Sequence, residues 1–223
     1  MPTKRASIFD VDGTLVDTNH LHVVTWWEAF RQSGHRVPTR EVHRAVGLNS
    51  DDLIEHLLGK DRDPEDDGQL KAAHHALYAT FFDRLPALEG AGELLRALAG
   101  RGWEIVLATS AGGAELSALR RAIDADDVIL GAASADDVRS GKPAPDPVAR
   151  ARELAGVPSG RAIFVGDTVW DMKAAARDGV TSVAVLSGGI PRADLEEAGA
   201  GAVYRDVADL LDHLDTGAFA DRE

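Results

Sequence analysis

Apolar positions along this chain follow two different rhythms. From about residue 18 to residue 85 they recur at helical spacing. "NHLHVVTWWEAFRQSG" places Val23, Trp26, Trp27 and Phe30 on one helical stripe, and Gly34 suits a helix end. "TREVHRAVG" (39–47) and "SDDLIEHLLG" (50–59) each begin at a capping residue and stop at a glycine, which predicts two short helices. "DPEDDGQ" is an acidic turn, and "LKAAHHALYATFFDRL" (70–85) predicts another helix.

After Pro86 short unbroken apolar runs alternate with helical stretches. "AGELLRALAGRG" predicts a helix, and "WEIVLATS" (103–110) a strand ending in hydroxyls. A helix follows, then "DDVILGAAS" and "GKPAPDPVARARELAG". "RAIFVGDTVWDMKAAARDG" repeats the shape of the opening "SIFDVDGTLVD": an apolar strand breaks into a glycine and an acid, with a helix behind. "TSVAVLSGG" and "AGAVYRD" predict two more strands. Strands alternating with helices imply βα units and a parallel sheet covered on both faces. The expected fold is α/β: a Rossmann-like doubly wound parallel sheet over residues 1–17 and 86–223, with an all-helical cap inserted over 18–85. In such sheets ligands sit beyond the carboxyl ends of the strands. Asp10, Thr109 and Asp167 each follow an apolar strand, so neighbouring strands would bring them to one point.

Composition narrows the function. There are 37 acids against 24 bases, a formal net charge of -13. Such a surface repels phosphate backbones, so no nucleic-acid partner is expected. The chain has no cysteine, which excludes disulfides and thiolate metal sites. No signal-peptide pattern or long apolar run occurs, so no membrane partner and a cytoplasmic location are expected.

"FDVDGTLVD" (9–17), "VLATS" (106–110), "GKPAPD" (141–146) and "GDTVWD" (166–171) occur in that order. Together they resemble the haloacid dehalogenase-like hydrolases, in the capped branch that holds phosphoglycolate phosphatases and β-phosphoglucomutases. The resemblance spans nearly the whole chain. It implies a Mg²⁺-dependent phosphatase of small phosphorylated metabolites working through an aspartyl-phosphate. Sugar phosphates, phosphoglycolate and nucleotides all stay open as substrates, as do monomer and homodimer. The alternatives are a β-phosphoglucomutase-like mutase, a 2-haloacid dehalogenase and a non-catalytic member of the fold.

By this resemblance Asp10 is the nucleophile and Asp12 the general acid/base; on their own, both also fit a turn before a glycine. Asp12 separates the phosphatases from the dehalogenase branch, which carries a non-acid there. Gly13 and Thr14 read as structural residues of the turn. The implied Mg²⁺ site comprises Asp10, Asp12 through its carbonyl, and Asp167, with Asp171 as a second acid holding a water or Lys142. Asp171 alone also reads as an acid favoured in the first turn of a helix. Thr109, with the amide of Ser110, is expected to bind phosphoryl oxygens, and Lys142 to act as a fixed cation. Thr109 also suits a strand end and Lys142 a solvated loop. His22 matches a histidine at the site entrance of capped members and equally fits a helix surface. "AVGLNSDD" (45–52) matches the substrate-selecting loop, which makes Gly47 and Asn49 candidate substrate contacts.

Overall fold

The computed structural model describes residues 4–220. The expected first and last stretches of the sheet domain therefore include three residues at each end that lie outside the described residues. Six parallel strands form one sheet in the order β3-β2-β1-β4-β5-β6. They are β1 (Arg5–Phe9), β2 (Trp103–Ala108), β3 (Ile129–Ala133), β4 (Ala162–Gly166), β5 (Thr181–Val185) and β6 (Ala202–Tyr204). Strands buried on both faces read as continuous apolar runs, and successive residues divide between the two faces. Phe9, Leu107 and Val165 point to one side, where they meet Leu94, Leu95 and Leu98 of α5 (Ala91–Gly100) and Leu210 of α10 (Val207–Asp212). Ile8, Val106 and Phe164 point to the other, against Val148 and Ala151 of α7 (Asp146–Ala155) and Ala174 and Ala175 of α8 (Val169–Asp178). Helices α6 (Gly113–Ile123) and α9 (Arg192–Glu197) complete the layers.

Between β1 and α5 the chain forms α1 (Asn19–Gln32), α2 (Thr39–Ala45), α3 (Ser50–Leu58) and α4 (Asp67–Ala79). These helices bury an apolar cluster of their own, including Trp26, Phe30, Val42, Ile54 and Leu70. Trp26 is buried there while Trp27 is 41% exposed. The two connections to this block run side by side. Val16 bridges Ala87 antiparallel, and the Asp17 amide donates to the Pro86 carbonyl at 2.9 Å.

The block differs from the sequence expectation at its helix ends. Helix α2 stops at Ala45, because Val46 turns extended and Gly47 takes φ +98°. Asn49, not Ser50, caps α3, accepting the Asp52 amide. Helix α4 begins inside the acidic turn, where first-turn acids favour the helix dipole. It ends at Ala79, and a short 3-10 turn (Phe82–Arg84) brings the chain back to Pro86. Among the described residues no helix is long and apolar enough to cross a membrane.

Candidate active site

Strand β1 sits between β2 and β4, where the strand order reverses, so the ends of all three face one crevice. Asp10 follows β1, and its amide donates to the Val165 carbonyl at 2.9 Å. Asp167 follows β4. Asp171 lies in the first turn of α8, and Lys142 lies in the loop before α7. All four side chains are buried.

Lys142 joins two of the acids. Its ammonium donates to Asp10 Oδ1 and stands 2.7 Å from Asp171 Oδ1. The other oxygen of Asp171 accepts from the Thr168 amide at 3.0 Å and the Thr168 hydroxyl at 2.6 Å, a capping box that fixes the start of α8. Gly166 permits this arrangement, since a Cβ there would lie 2.6 Å from the Asp171 Cβ. Asp167 accepts from Asn19 Nδ2 at 2.7 Å and from the Thr14 hydroxyl at 3.0 Å. Thr14 Oγ1 is also 3.2 Å from Asp10 Oδ2. The turn residue expected to be only structural is thus a polar bridge between two of the acids.

Asp12 faces elsewhere. Its Oδ1 accepts from the Thr18 hydroxyl at 2.6 Å and lies 3.2 Å from His22 Nε2. His22 Nδ1 is 3.3 Å from Nε2 of His74 on α4, and its ring stacks on Tyr78 at 4.0 Å. His74 stacks in turn on Trp26. Glu115 completes this group, with Oε1 4.0 Å from His22 Nε2.

The remaining expected residues line the cleft. Thr109 is buried, and its hydroxyl accepts the Ala111 amide at 3.0 Å. Ser110 and Gly47 border both a cavity of about 200 Å³ and an adjoining one of about 400 Å³. Asp10, Asp12, His22, Trp26, His74 and Glu115 line the smaller one. Thr109, Asn49, Arg139 and Lys142 line the larger. Gly47 approaches the sheet domain so closely that a Cβ would meet the Thr168 hydroxyl at 2.8 Å. Asn49 is engaged by Asp52, accepting its amide and donating to its carboxylate at 2.8 Å.

Electrostatics separate the acids. Burial pushes Asp10 up to about 7, against the pull of Lys142 and with Asp171 and Asp12 adding to it. Burial, then Asp10 and Asp171, raise Asp167 well above the carboxylate range. Burial would raise Asp12 too, but the bonds from His22 and Thr18 outweigh it and hold it low. Burial lowers Lys142 and His22, yet their acidic partners win and both are raised. His74 is driven down to about 2 by burial and the His22 charge, and burial lifts Glu115 to about 7.

Oxygens of Asp10, Asp167 and Asp171 lie within 4.8 Å of one another. Lys142 is the one side-chain cation bonded to this trio among the described residues. Buried carboxylates with too little positive charge, all offering hard oxygen donors, fit a Mg²⁺ ion. Asp12 does not join that trio through its side chain. Asn19, Thr14, His74 and Glu115 were missed by the sequence reading; the only trace of them is a polar residue set among apolar ones.

The model of the haloacid dehalogenase-like hydrolase family matches residues 4–179. A phosphoglycolate phosphatase of Rhodospirillum rubrum is 31% identical over 221 residues, covering 94% of this chain and 90% of that protein. A beta-phosphoglucomutase of Mycobacterium bovis is 28% identical over 251 residues, covering 95% and 93%. The crystal structure of a hydrolase from Pseudomonas syringae superposes with a TM-score of 0.90 at 35% identity, covering 95% of this chain and 98% of that one.

Proposed function

The chain belongs to the haloacid dehalogenase-like hydrolases, and from that premise we propose that it is a Mg²⁺-dependent phosphatase of small phosphorylated metabolites. One observation carries the reading: Asp10 and Asp167, at the ends of adjacent strands, are buried together with Asp171 and Lys142, and Asp12 is held separately two residues after Asp10.

Asp10 attacks the phosphorus of the substrate as the ester oxygen departs, and an aspartyl-phosphate forms. Asp12 and the raised imidazolium of His22 bonded to it hold one proton between them, and Asp12 passes it to the departing oxygen, which leaves as an alcohol. Asp12 then takes a proton from water, whose oxygen attacks the same phosphorus. The bond to Asp10 breaks, inorganic phosphate is released, and both acids return to their starting states. Thr18 and His22 both meet Oδ1 of Asp12, which leaves its second oxygen to handle the proton. Lys142 orients Asp10 and offsets charge on the phosphoryl group. Asp10 and Asp167 would hold Mg²⁺, with Asp171 holding Lys142 beside it; the ion would neutralise charge on the phosphoryl oxygens. The α1–α4 block serves as a cap whose closure limits bulk water.

The test is release of inorganic phosphate from a panel of phosphorylated metabolites with millimolar Mg²⁺. EDTA should abolish it, and Asp10→Asn should leave less than ~10% of wild-type kcat, since losing a covalent catalyst commonly costs several powers of ten. Full activity in EDTA, or in Asp10→Asn, would remove the reading.

A further inference from the structure

We infer that Glu115 selects the leaving group, so that the site takes phosphate monoesters of neutral polyols and amino alcohols and turns away those whose leaving group carries a carboxylate or a second phosphate. The inference rests on the phosphatase reading and deepens it.

The small cavity lies against Asp10 and Asp12, so it is where a leaving group would stand. Glu115 reaches it from the first turn of α6. Its side chain is only 16% exposed, and no hydrogen-bond donor among the described residues meets its carboxylate. A half-buried carboxylate whose nearest cation, His22, stands 4.0 Å away favours a ligand that brings a donor, either a hydroxyl or an ammonium. Above about pH 7, where Glu115 is ionised, the same carboxylate repels a second anion.

The lysines and the histidine nearest to it are each bonded to other acids. His22, the nearest at 4.0 Å, is bonded to Asp12 and in contact with His74. Lys71 holds Asp51 at 2.7 Å and is 40% exposed at the rim. Lys142 is committed to Asp10 and Asp171. His75 is exposed against Phe82. Arg139 lines the adjoining cavity, not this one. An anionic leaving group would therefore face Glu115 and Asp12, with only Lys71, already paired with Asp51, and the exposed His75 ring on the cavity's rim.

The experiment compares kcat/KM for glycerol 1-phosphate, phosphoethanolamine and phosphoglycolate, with p-nitrophenyl phosphate as a reference and Mg²⁺ throughout. Like-charge juxtaposition is costly, so wild-type protein should use phosphoglycolate at least about tenfold less well than the other two. Glu115→Gln, which keeps the shape and removes the charge, should narrow that gap severalfold. A wild-type preference for phosphoglycolate, or an unchanged gap in Glu115→Gln, would overturn the assignment. Should the variant fail to fold, product inhibition of the wild type decides: glycolate inhibiting as well as glycerol or ethanolamine would overturn it, and weaker glycolate inhibition would support it. Hydrolysis of p-nitrophenyl phosphate with the wrong metabolite preference sinks only the role of Glu115, whereas no hydrolysis of any ester sinks the phosphatase reading along with it.

Discussion

Lys142 Nζ stands 2.7 Å from Asp171 Oδ1, and both groups are buried. The contact sets one cation among acids that burial alone would neutralise. Asp171 is held by Thr168, so it fixes the ammonium against Asp10 from the far side. Removing one member of a buried pair leaves an uncompensated charge, at a cost of about 3–5 kcal/mol. Lys142→Ala should therefore lower the unfolding free energy by about 3 kcal/mol in EDTA, and added Mg²⁺ should restore part of it because a ligand of the folded state stabilises by mass action. Asp171→Ala should cost less, since Lys142 retains Asp10. Urea unfolding with and without Mg²⁺ measures both. A Lys142→Ala midpoint equal to wild type would contradict the charge balance.

Asp12→Ala should slow both half-reactions by roughly 10²–10⁴-fold, the usual worth of general acid/base catalysis. The loss should shrink for p-nitrophenyl phosphate when phosphoryl transfer limits the rate, since that leaving group needs little protonation. Steady-state rates on p-nitrophenyl phosphate and on an alkyl phosphate make the comparison. Equal losses on the two would argue against proton donation by Asp12.

His74 links stability to pH. It is 8% exposed, and burial with the His22 charge drives it from 6.5 down to about 2. The unfolded chain binds this proton below about pH 6.5 and the folded chain does not. The stabilisation is therefore complete above that value and drains away as the pH falls towards 2, at up to about 1.4 kcal/mol per pH unit. His74→Gln should flatten the decline between pH 6.5 and 4. Urea titrations at several pH values would show it, and parallel curves for variant and wild type would rule it out.

What could be read from the sequence follows the range of the interactions. Asp10 and Asp167 stood out because each ends an apolar run, Asp10 three residues before Gly13 and Asp167 directly after Gly166, and parallel strands place their ends together whatever the loops do. Lys142 stood out through Gly141 and Pro143. Thr14 did not, because its role needs Asp167, 153 residues away, to receive its hydroxyl. Asn19 and Glu115 reach across the junction of the helical block and the sheet, and His74 joins α4 to α1 inside the block; local spacing carries no trace of these contacts. The choice between Ser50 and Asn49 as helix cap was open to sequence reasoning, since both residue types cap well; backbone geometry decided it.

Phosphatase and mutase differ in the need for a second anion site on the cap side. The β-phosphoglucomutase-like pattern places an arginine three residues after the cap-loop glycine, where this chain has Ser50 followed by Asp51 and Asp52. A hydroxyl cannot match bidentate binding of phosphate by a guanidinium. Arg44, in the last turn of α2, is the arginine nearest that loop in the sequence. Its guanidinium lies 3.7 Å from Asp194 and is 65% exposed, and its carbonyl accepts the Trp170 indole at 3.0 Å. It faces α8 and α9, and it does not line either cavity. Lys71, paired with Asp51, is the one lysine or arginine of the helical block that lines either cavity, so a bisphosphate intermediate would find little on that side to hold it between half-reactions. The expected outcome is net release of inorganic phosphate, and no glucose 6-phosphate from β-glucose 1-phosphate even with a bisphosphate primer. A coupled glucose 6-phosphate dehydrogenase assay, run beside a phosphate assay, separates the two. Clear isomerisation without matching phosphate release would make the protein a mutase and leave the roles of Asp10 and Asp12 intact.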